Sequence, residues 1–332
     1  MSKGVGLDIG TNMLVAATIT EDGKPTFRMQ RDAFYKIVPK SAVNRNSIRQ
    51  ALDKRGFNFI ASGDGSFIVV GEEALETAIE RNDVAKRPLQ RGVISPKEKD
   101  SLPMLKMLIE NLLGKTEEPT KLIYSVPARP IDGLFDIVYH TDMMGKYLGE
   151  LGYQAYPINE AFAIALSELL EEGLTGICIS FGAGMVNTAV IHQGDPLVEF
   201  SMTRAGDYID MQAGTALDIS PSLVQLEKES GVDLMNPSNK IMEAVSVYYG
   251  SVIKYALENI AYELDRRKKD LPIFREDVQL VVSGGLALAK GFNAKIEKVM
   301  GKLEFPIGIS EIRRAGNPMT AVANGCLLAA QL

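Results

Sequence analysis

Two cysteines and two histidines among 332 residues leave little material for cross-links or metal cages. Cys178 and Cys326 both sit in apolar runs. That placement predicts buried free thiols in a reducing compartment and excludes a disulfide framework. His140 and His192 stand too far apart in sequence to offer metal-site spacing. No apolar run reaches the roughly 20 residues that a spanning helix needs, and no secretory leader is recognisable. Only three residues precede the first expected strand, which leaves no place for an amphipathic membrane-surface helix, so direct membrane insertion is not expected. Strong basicity is missing too, since the formal net charge is −6. The densest basic stretch, Asp265-Arg266-Arg267-Lys268-Lys269-Asp270, reads as the solvated end of a helix, so direct nucleic-acid binding is not expected. What remains is the composition of an ordinary soluble globular protein, 46% hydrophobic and 23% charged, long enough for about two domains with real cores.

What the sequence does have is one glycine turn in two versions. The first is Gly6-Leu7-Asp8-Ile9-Gly10-Thr11-Asn12, followed by the apolar run Leu14 to Ala17. The second is Ile177-Cys178-Ile179-Ser180-Phe181-Gly182-Ala183-Gly184, followed by Val186 to Ile191. Each continues into another tight turn, Asp22-Gly23-Lys24 or Gln193-Gly194-Asp195, and then a third strand. Glycine lets the backbone bend and approach a ligand with no Cβ in the way. Freed N–H groups and the Thr11 hydroxyl can point at phosphate oxygens. Asp8, itself an anion, repels phosphate but can hold the hydrated Mg²⁺ that accompanies a nucleoside triphosphate. One copy alone would pass for an ordinary β-hairpin. Two copies in register, in two like halves facing a shared cleft, can clamp a chain of phosphates from both sides.

Between and after these turns, strands and helices alternate. Short strands are expected at Phe57 to Ala61 and Ser66 to Val70, with a polar segment at 40–54 and a helix at Glu72 to Arg81. Arg87-Pro88-Leu89-Gln90-Arg91-Gly92 reads as an extended connection. Ser101 to Leu113 carries apolar residues at helical spacing. Lys121 to Val126 is a strand, Gly133 to Leu151 a helix, and Tyr153 to Ile158 a strand. Asn159 then caps a helix running to Glu171. In the second half, Asp207 and Asp210 are spaced as an acidic capping pair, Ser222 to Ser230 is a short helix and Lys240 to Lys268 a long amphipathic one. Val278 to Val282 is a strand ending in Ser283-Gly284-Gly285, followed by a helix from Ala287 to Met300. The alternation predicts an α/β fold with mostly parallel strands.

Five motifs in one order carry a resemblance: Asp8-Ile9-Gly10-Thr11-Asn12, Asn159-Glu160-Ala161-Phe162-Ala163, Ser180-Phe181-Gly182-Ala183-Gly184, Ser283-Gly284-Gly285-Leu286-Ala287, and Pro318-Met319-Thr320-Ala321-Val322-Ala323-Asn324-Gly325. In that order they resemble the first phosphate loop, first connecting helix, second phosphate loop, adenosine motif and second connecting helix of the actin and Hsp70 ATPase superfamily. The resemblance spans nearly the whole chain. The sequence has no room for a sugar-kinase insertion and carries no Hsp70-type substrate domain after its last motif, which leaves the minimal four-subdomain body. Lys86-Arg87-Pro88-Leu89-Gln90-Arg91-Gly92-Val93-Ile94 and Val126-Pro127-Ala128-Arg129 look like the prokaryotic actin-like filament proteins MreB and MamK.

The resemblance implies duplicated actin-like, RNase H-like domains: two lobes of two subdomains around a nucleotide cleft. Domain I would comprise 1–157 and 318–332, with an outer subdomain at about 25–80. Domain II would comprise 158–317, with an outer subdomain at about 208–270. Asp8 would hold Mg²⁺ through water. Gly10, Thr11 and Asn12, with Gly182, Ala183 and Gly184, would surround the phosphates of ATP or ADP. Lys228 and Glu229 would contact ribose and adenine, Gly284 and Gly285 would admit the adenosine, and Glu160 would orient the attacking water. By position alone Glu160 is simply a favourable acid in a first helical turn. The pattern departs from the family at Ser180, where the second loop normally begins with Asp; at Met13, where relatives often carry a polar or basic residue; and at Leu286, in place of a third glycine. The implied function is an ATP- and Mg²⁺-binding cytoskeletal protein that polymerises with itself in the cytoplasm and hydrolyses ATP slowly, with an adaptor or cargo left open. A monomeric nucleotide switch or reactivating chaperone, and a hydrolysis-deficient structural actin homologue, stand as alternatives.

Overall fold

The computed structural model describes residues 4–332. The chain opens with the hairpin β1 (Val5–Ile9) and β2 (Met13–Ile19), followed by β3 (Pro25–Arg31). An outer layer comes next: β4 (Phe34–Ile37), α1 (Ala42–Arg55), β5 (Phe59–Ala61), β6 (Phe67–Val70) and α2 (Glu72–Glu80). A small hairpin of β7 (Leu89–Gln90) and β8 (Val93–Ile94) leads to α3 (Ser101–Leu113), β9 (Thr120–Val126), α4 (Val138–Glu150) and β10 (Tyr153–Asn159). The second half runs α5 (Glu160–Glu168), β11 (Gly176–Phe181), β12 (Val186–His192), β13 (Asp195–Met202), α6 (Gly206–Leu217), α7 (Pro221–Glu229) and α8 (Lys240–Arg266). It ends with β14 (Val278–Ser283), a short helical turn at Gly285–Leu288, α9 (Phe292–Met300), β15 (Ile309–Arg314) and α10 (Ala321–Gln331).

The two large sheets are copies of one plan. One is ordered β3-β2-β1-β9-β10, the other β13-β12-β11-β14-β15. In each, the hairpin strands pair antiparallel and the remaining strands parallel. The sheets are therefore evenly mixed, which corrects the expectation of mostly parallel strands. The tight glycine turns force antiparallel neighbours, and only the strands reached through helical crossovers run parallel.

Two helices cross between the lobes. α5 follows β10 of the first sheet but packs on β11 and β12 of the second; α10 follows β15 of the second sheet but packs on β1, β2 and β9 of the first. They meet at glycine and alanine. A Cβ on Gly325 would fall inside the van der Waals envelope of the Ala163 carbonyl, and one on Gly6 would strike the Ala323 carbonyl. Small residues here replace side-chain contact with backbone contact, and the core between the lobes is accordingly rich in alanine, with both free cysteines buried in it. The larger cores lie on the other faces, one under α3 and α4 and one under α6, α8 and α9.

Several local expectations give way. The polar stretch 40–54 is helix α1. It is capped by Ser41, whose hydroxyl accepts from Asn44 N at 3.2 Å, and closed by left-handed Gly56. Leu52 is its only buried residue, so it carries no apolar stripe to read. α4 begins at Val138 rather than Gly133, because the chain before it docks on the other lobe: Ile131 N donates to Ser201 O at 3.0 Å and Tyr255 OH to Asp132 at 2.9 Å. Left-handed Gly291 separates the turn at Gly285–Leu288 from α9, dividing the single helix expected there. The expected extended connection at 87–92 is the β7–β8 hairpin. Its two turn residues, Arg91 at φ 52° and Gly92 at φ 71°, have the positive φ of a type I′ turn.

Candidate functional site

The floor of the interlobe cleft is made by the two glycine hairpins, and their geometries match. Gly10 N donates to Met13 O at 3.1 Å, and Gly182 N to Met185 O at 3.0 Å. Asp8 lies opposite Val15 across its hairpin, and Ser180 lies opposite Asn187. Ser180 thus occupies in the second lobe the place Asp8 occupies in the first. The hairpins touch at their tips. A Cβ on Gly184 would collide with Thr11, whose hydroxyl accepts from Gly92 N at 3.0 Å, so the β7–β8 turn is pinned there too.

All twelve residues singled out from the sequence line this one cleft, which measures about 400 Å³. They are Asp8, Gly10, Thr11, Asn12, Glu160, Gly182, Ala183, Gly184, Lys228, Glu229, Gly284 and Gly285.

Two carboxylates face each other at the base. Ser125 Oγ donates to Asp8 Oδ1 at 2.7 Å, while Ser125 Oγ itself accepts from Ile9 N at 2.9 Å. Glu160 starts α5, where Asn159 Oδ1 caps the helix by accepting from Ala161 N and Phe162 N. Both oxygens of Glu160 are held by neutral donors, Oε1 by the Ser180 hydroxyl and Oε2 by Asn187 Nδ2 at 2.8 Å. Burial pushes Asp8 up to about 6, against the lowering effect of the Ser125 bond. Burial, together with the neighbouring Asp8 charge, pushes Glu160 up to about 8. Two desolvated acids side by side resist carrying two charges, and a bound cation would relieve that.

At the cleft mouth the lobes meet through side chains. Glu229, at the end of α7, accepts from Asn12 Nδ2 at 3.1 Å, Gln225 Nε2 at 2.9 Å and Arg31 Nη1 at 3.3 Å, all at Oε1, and from Arg31 Nη2 at Oε2. Asn12 Oδ1 also accepts from Arg31 and Gln225. The Asn12 side chain is therefore tied to Glu229 at this end of the cleft. Lys228 points inward to Asp210, with Nζ at 2.7 and 2.8 Å from its carboxylate oxygens. Burial pushes Asp210 up to about 6 despite the Lys228 charge. A second ion pair, Arg87 with Asp207 at 2.8 Å, also joins the lobes. Asp207 and Asp210 thus serve as partners for cations. The capping pair expected of them is not formed, because the N-cap of α6 is Ala205 and no side chain caps it.

The sequence pattern of the Volactin family matches residues 1–330. The chain belongs to the Volactin family. No curated protein sequence matches it. Among solved structures, the MamK double helical filament is 18% identical, covering 99% of this chain and 98% of its own, with a TM-score of 0.69. MreB5 of Spiroplasma citri bound to ADP is 16% identical over 98% and 95%, with a TM-score of 0.64. The ethanolamine utilization protein EutJ from Carboxydothermus hydrogenoformans is 15% identical over 99% and 90%, with a TM-score of 0.56. The fold of this Volactin-family chain is the two-lobed actin-like α/β fold.

Within that fold the structure adds site residues that the sequence did not reveal. Arg31, Gln225, Asn187, Ser125 and the inward role of Asp210 belong to no motif by themselves. Asn187 and Ser125 carry a faint signal, since Asn187 lies opposite Ser180 and Ser125 lies one strand over from Asp8. Arg31 carries none: it closes a strand of alternating polar residues and meets Glu229 from 198 positions away. Among the described residues no group of three or more His, Cys, Asp or Glu could hold a metal by itself. The pair Asp8 and Glu160 suits a hydrated hard cation, because Mg²⁺ keeps several waters and takes only one or two carboxylates plus phosphate oxygens.

Proposed function

We propose that this Volactin-family protein binds ATP together with Mg²⁺ in the cleft between its lobes and assembles with copies of itself into cytoplasmic filaments, hydrolysing the nucleotide slowly. The observation that carries the proposal is the convergence of twelve motif residues on one cleft floored by paired glycine hairpins. The likeness to a MamK filament and to nucleotide-bound MreB5 supports a filament role. The lobes would divide as 1–157 with 318–332 and 158–317, with α5 and α10 crossing between them.

The charge balance supports a cation partner. Six carboxylates and two cationic side chains line the cleft, and both cations are already paired with acids. A polyphosphate entering alone would meet net repulsion, so Mg²⁺ would supply the missing positive charge and shield the phosphates. Asp8 would hold the hydrated ion. Backbone N–H groups of the two hairpins would face the phosphates, and Gly285 would leave room for the nucleoside. Glu160 would orient a water. Its oxygens are held by neutral donors, and Ser180 supplies no second acid, which supports slow turnover over fast.

Two measurements test the proposal. Calorimetry should detect ATP binding that depends on Mg²⁺ and that Asp8→Asn weakens on the order of 10- to 100-fold. Electron microscopy and sedimentation should show filaments with ATP and Mg²⁺. Absence of binding would end the nucleotide reading, and monomers at every concentration and nucleotide state would favour a monomeric switch.

A further inference from the structure

The clasp at the cleft mouth has a capacity problem that bears on how the site fills. A carboxylate offers about four lone-pair positions. Four donors already occupy Glu229: Asn12, Gln225 and both terminal nitrogens of Arg31. Glu229 is only partly exposed, at 29% of its side chain, and Arg31 is 8% exposed. Burial alone would raise the Glu229 carboxyl, yet the Arg31 guanidinium beside it holds it below the usual range. Three of these donors crowd Oε1 and one reaches Oε2, so a nucleoside hydroxyl seeking Oε1 must displace a donor already there.

Arg31 also has a partner on its own lobe. Its Nε lies 2.7 Å from Glu72 Oε1, at the start of α2, so releasing Glu229 would not strand a bare guanidinium. The partners come from β3, α2 and the tip of the β1–β2 hairpin on one side, and from α7 on the other. The clasp therefore spans the cleft mouth.

We propose that Arg31 is a latch that closes the empty cleft on Glu229 and that an incoming nucleoside must displace, so that Arg31 sets the rate of nucleotide capture. This rests on the proposed nucleotide site, but it predicts behaviour of the empty protein as well. A bidentate guanidinium–carboxylate pair at low exposure resists separation far more than a surface pair does. The latch holds the lobes together when no ligand does, and the nucleotide competes with it for one carboxylate.

Small-angle scattering of the nucleotide-free protein and stopped-flow capture of a fluorescent ATP analogue with Mg²⁺ test this in wild type, Arg31→Ala and Glu229→Gln. Arg31→Ala should open the empty molecule. The radius of gyration should rise by about 1 Å from the roughly 20 Å expected of this length. Capture should quicken by on the order of tenfold. Glu229→Gln keeps the side-chain shape and should open the empty protein in the same sense, which covers the case in which Arg31→Ala does not fold. Wild-type scattering in both variants, or unchanged capture in a well-folded Arg31→Ala, overturns the latch. If wild type captures no nucleotide at all, the nucleotide site fails, and scattering of the empty variants still decides whether the latch exists.

Discussion

Gly284 and Gly285 are adjacent, yet they are glycine for different reasons. Gly284 has φ 86°, and a Cβ there would strike the backbone of Phe181. Gly285 has open space around it, with Met319 Sδ nearest at 3.8 Å. Gly284→Ala should cost about 2 kcal/mol or more in urea unfolding. Gly285→Ala should leave stability within about 0.5 kcal/mol while lowering nucleotide affinity in calorimetry. The sequence marks both glycines as one motif, and only the packing separates the fold requirement from space left for a ligand. The paired acids give the molecule a pH dependence. Asp8 and Glu160 ionise at higher pH in the folded cleft than at their ordinary values of 3.8 and 4.5. The folded state therefore holds extra protons between about pH 4 and pH 8, and these groups make the empty protein less stable as pH rises through that window. A cation favours the charged forms, so uptake of Mg²⁺ with ATP at pH 7 should release roughly one proton. Calorimetry in two buffers of different ionisation enthalpy reads this release, and Glu160→Gln should diminish it. Asp8 and Glu160 were legible from the motifs. Asn187, which holds one oxygen of Glu160, was not, because an amide within an apolar strand resembles many others until the neighbouring helix is in place.

At the scale of elements, apolar strands and strongly periodic helices were the easiest to read. The β1–β2 and β11–β12 hairpins, α3 and α5 follow from local pattern. α1 and the β7–β8 turn do not, because one is a surface helix with a single buried residue and the other depends on a left-handed Arg91. The crossing of α5 and α10 is not written locally either. The small residues of both helices were visible, but nothing in either segment states that Gly325 must face Ala163. That contact yields a clear outcome. Gly325→Val should destabilise the protein by about 3 kcal/mol or more, read by thermal or urea unfolding. Ala329 lies on the same helix but only partly buried at the edge of that core, and Ala329→Val should cost far less.

For the whole molecule, the actin-like fold was legible because five weak motifs fell in one order, although each alone would have been ambiguous. The latch was illegible because Arg31 and Glu229 belong to different lobes. The path of the chain sets the order in which the lobes can mature. α10 covers β1, β2 and β9, so the first lobe is finished by residues made more than 300 positions after it begins. The second sheet and its helices draw on a single continuous stretch from α5 to β15. On the ribosome, then, the later lobe can mature first, while the earlier one waits with Gly6 and its neighbours uncovered until α10 emerges. Contacts of such sequence separation close slowly. A chain stopped before residue 321 should show exchange protection in the second lobe and protease sensitivity in the first, and a molecule caught at that stage has no finished cleft with which to hold a ligand.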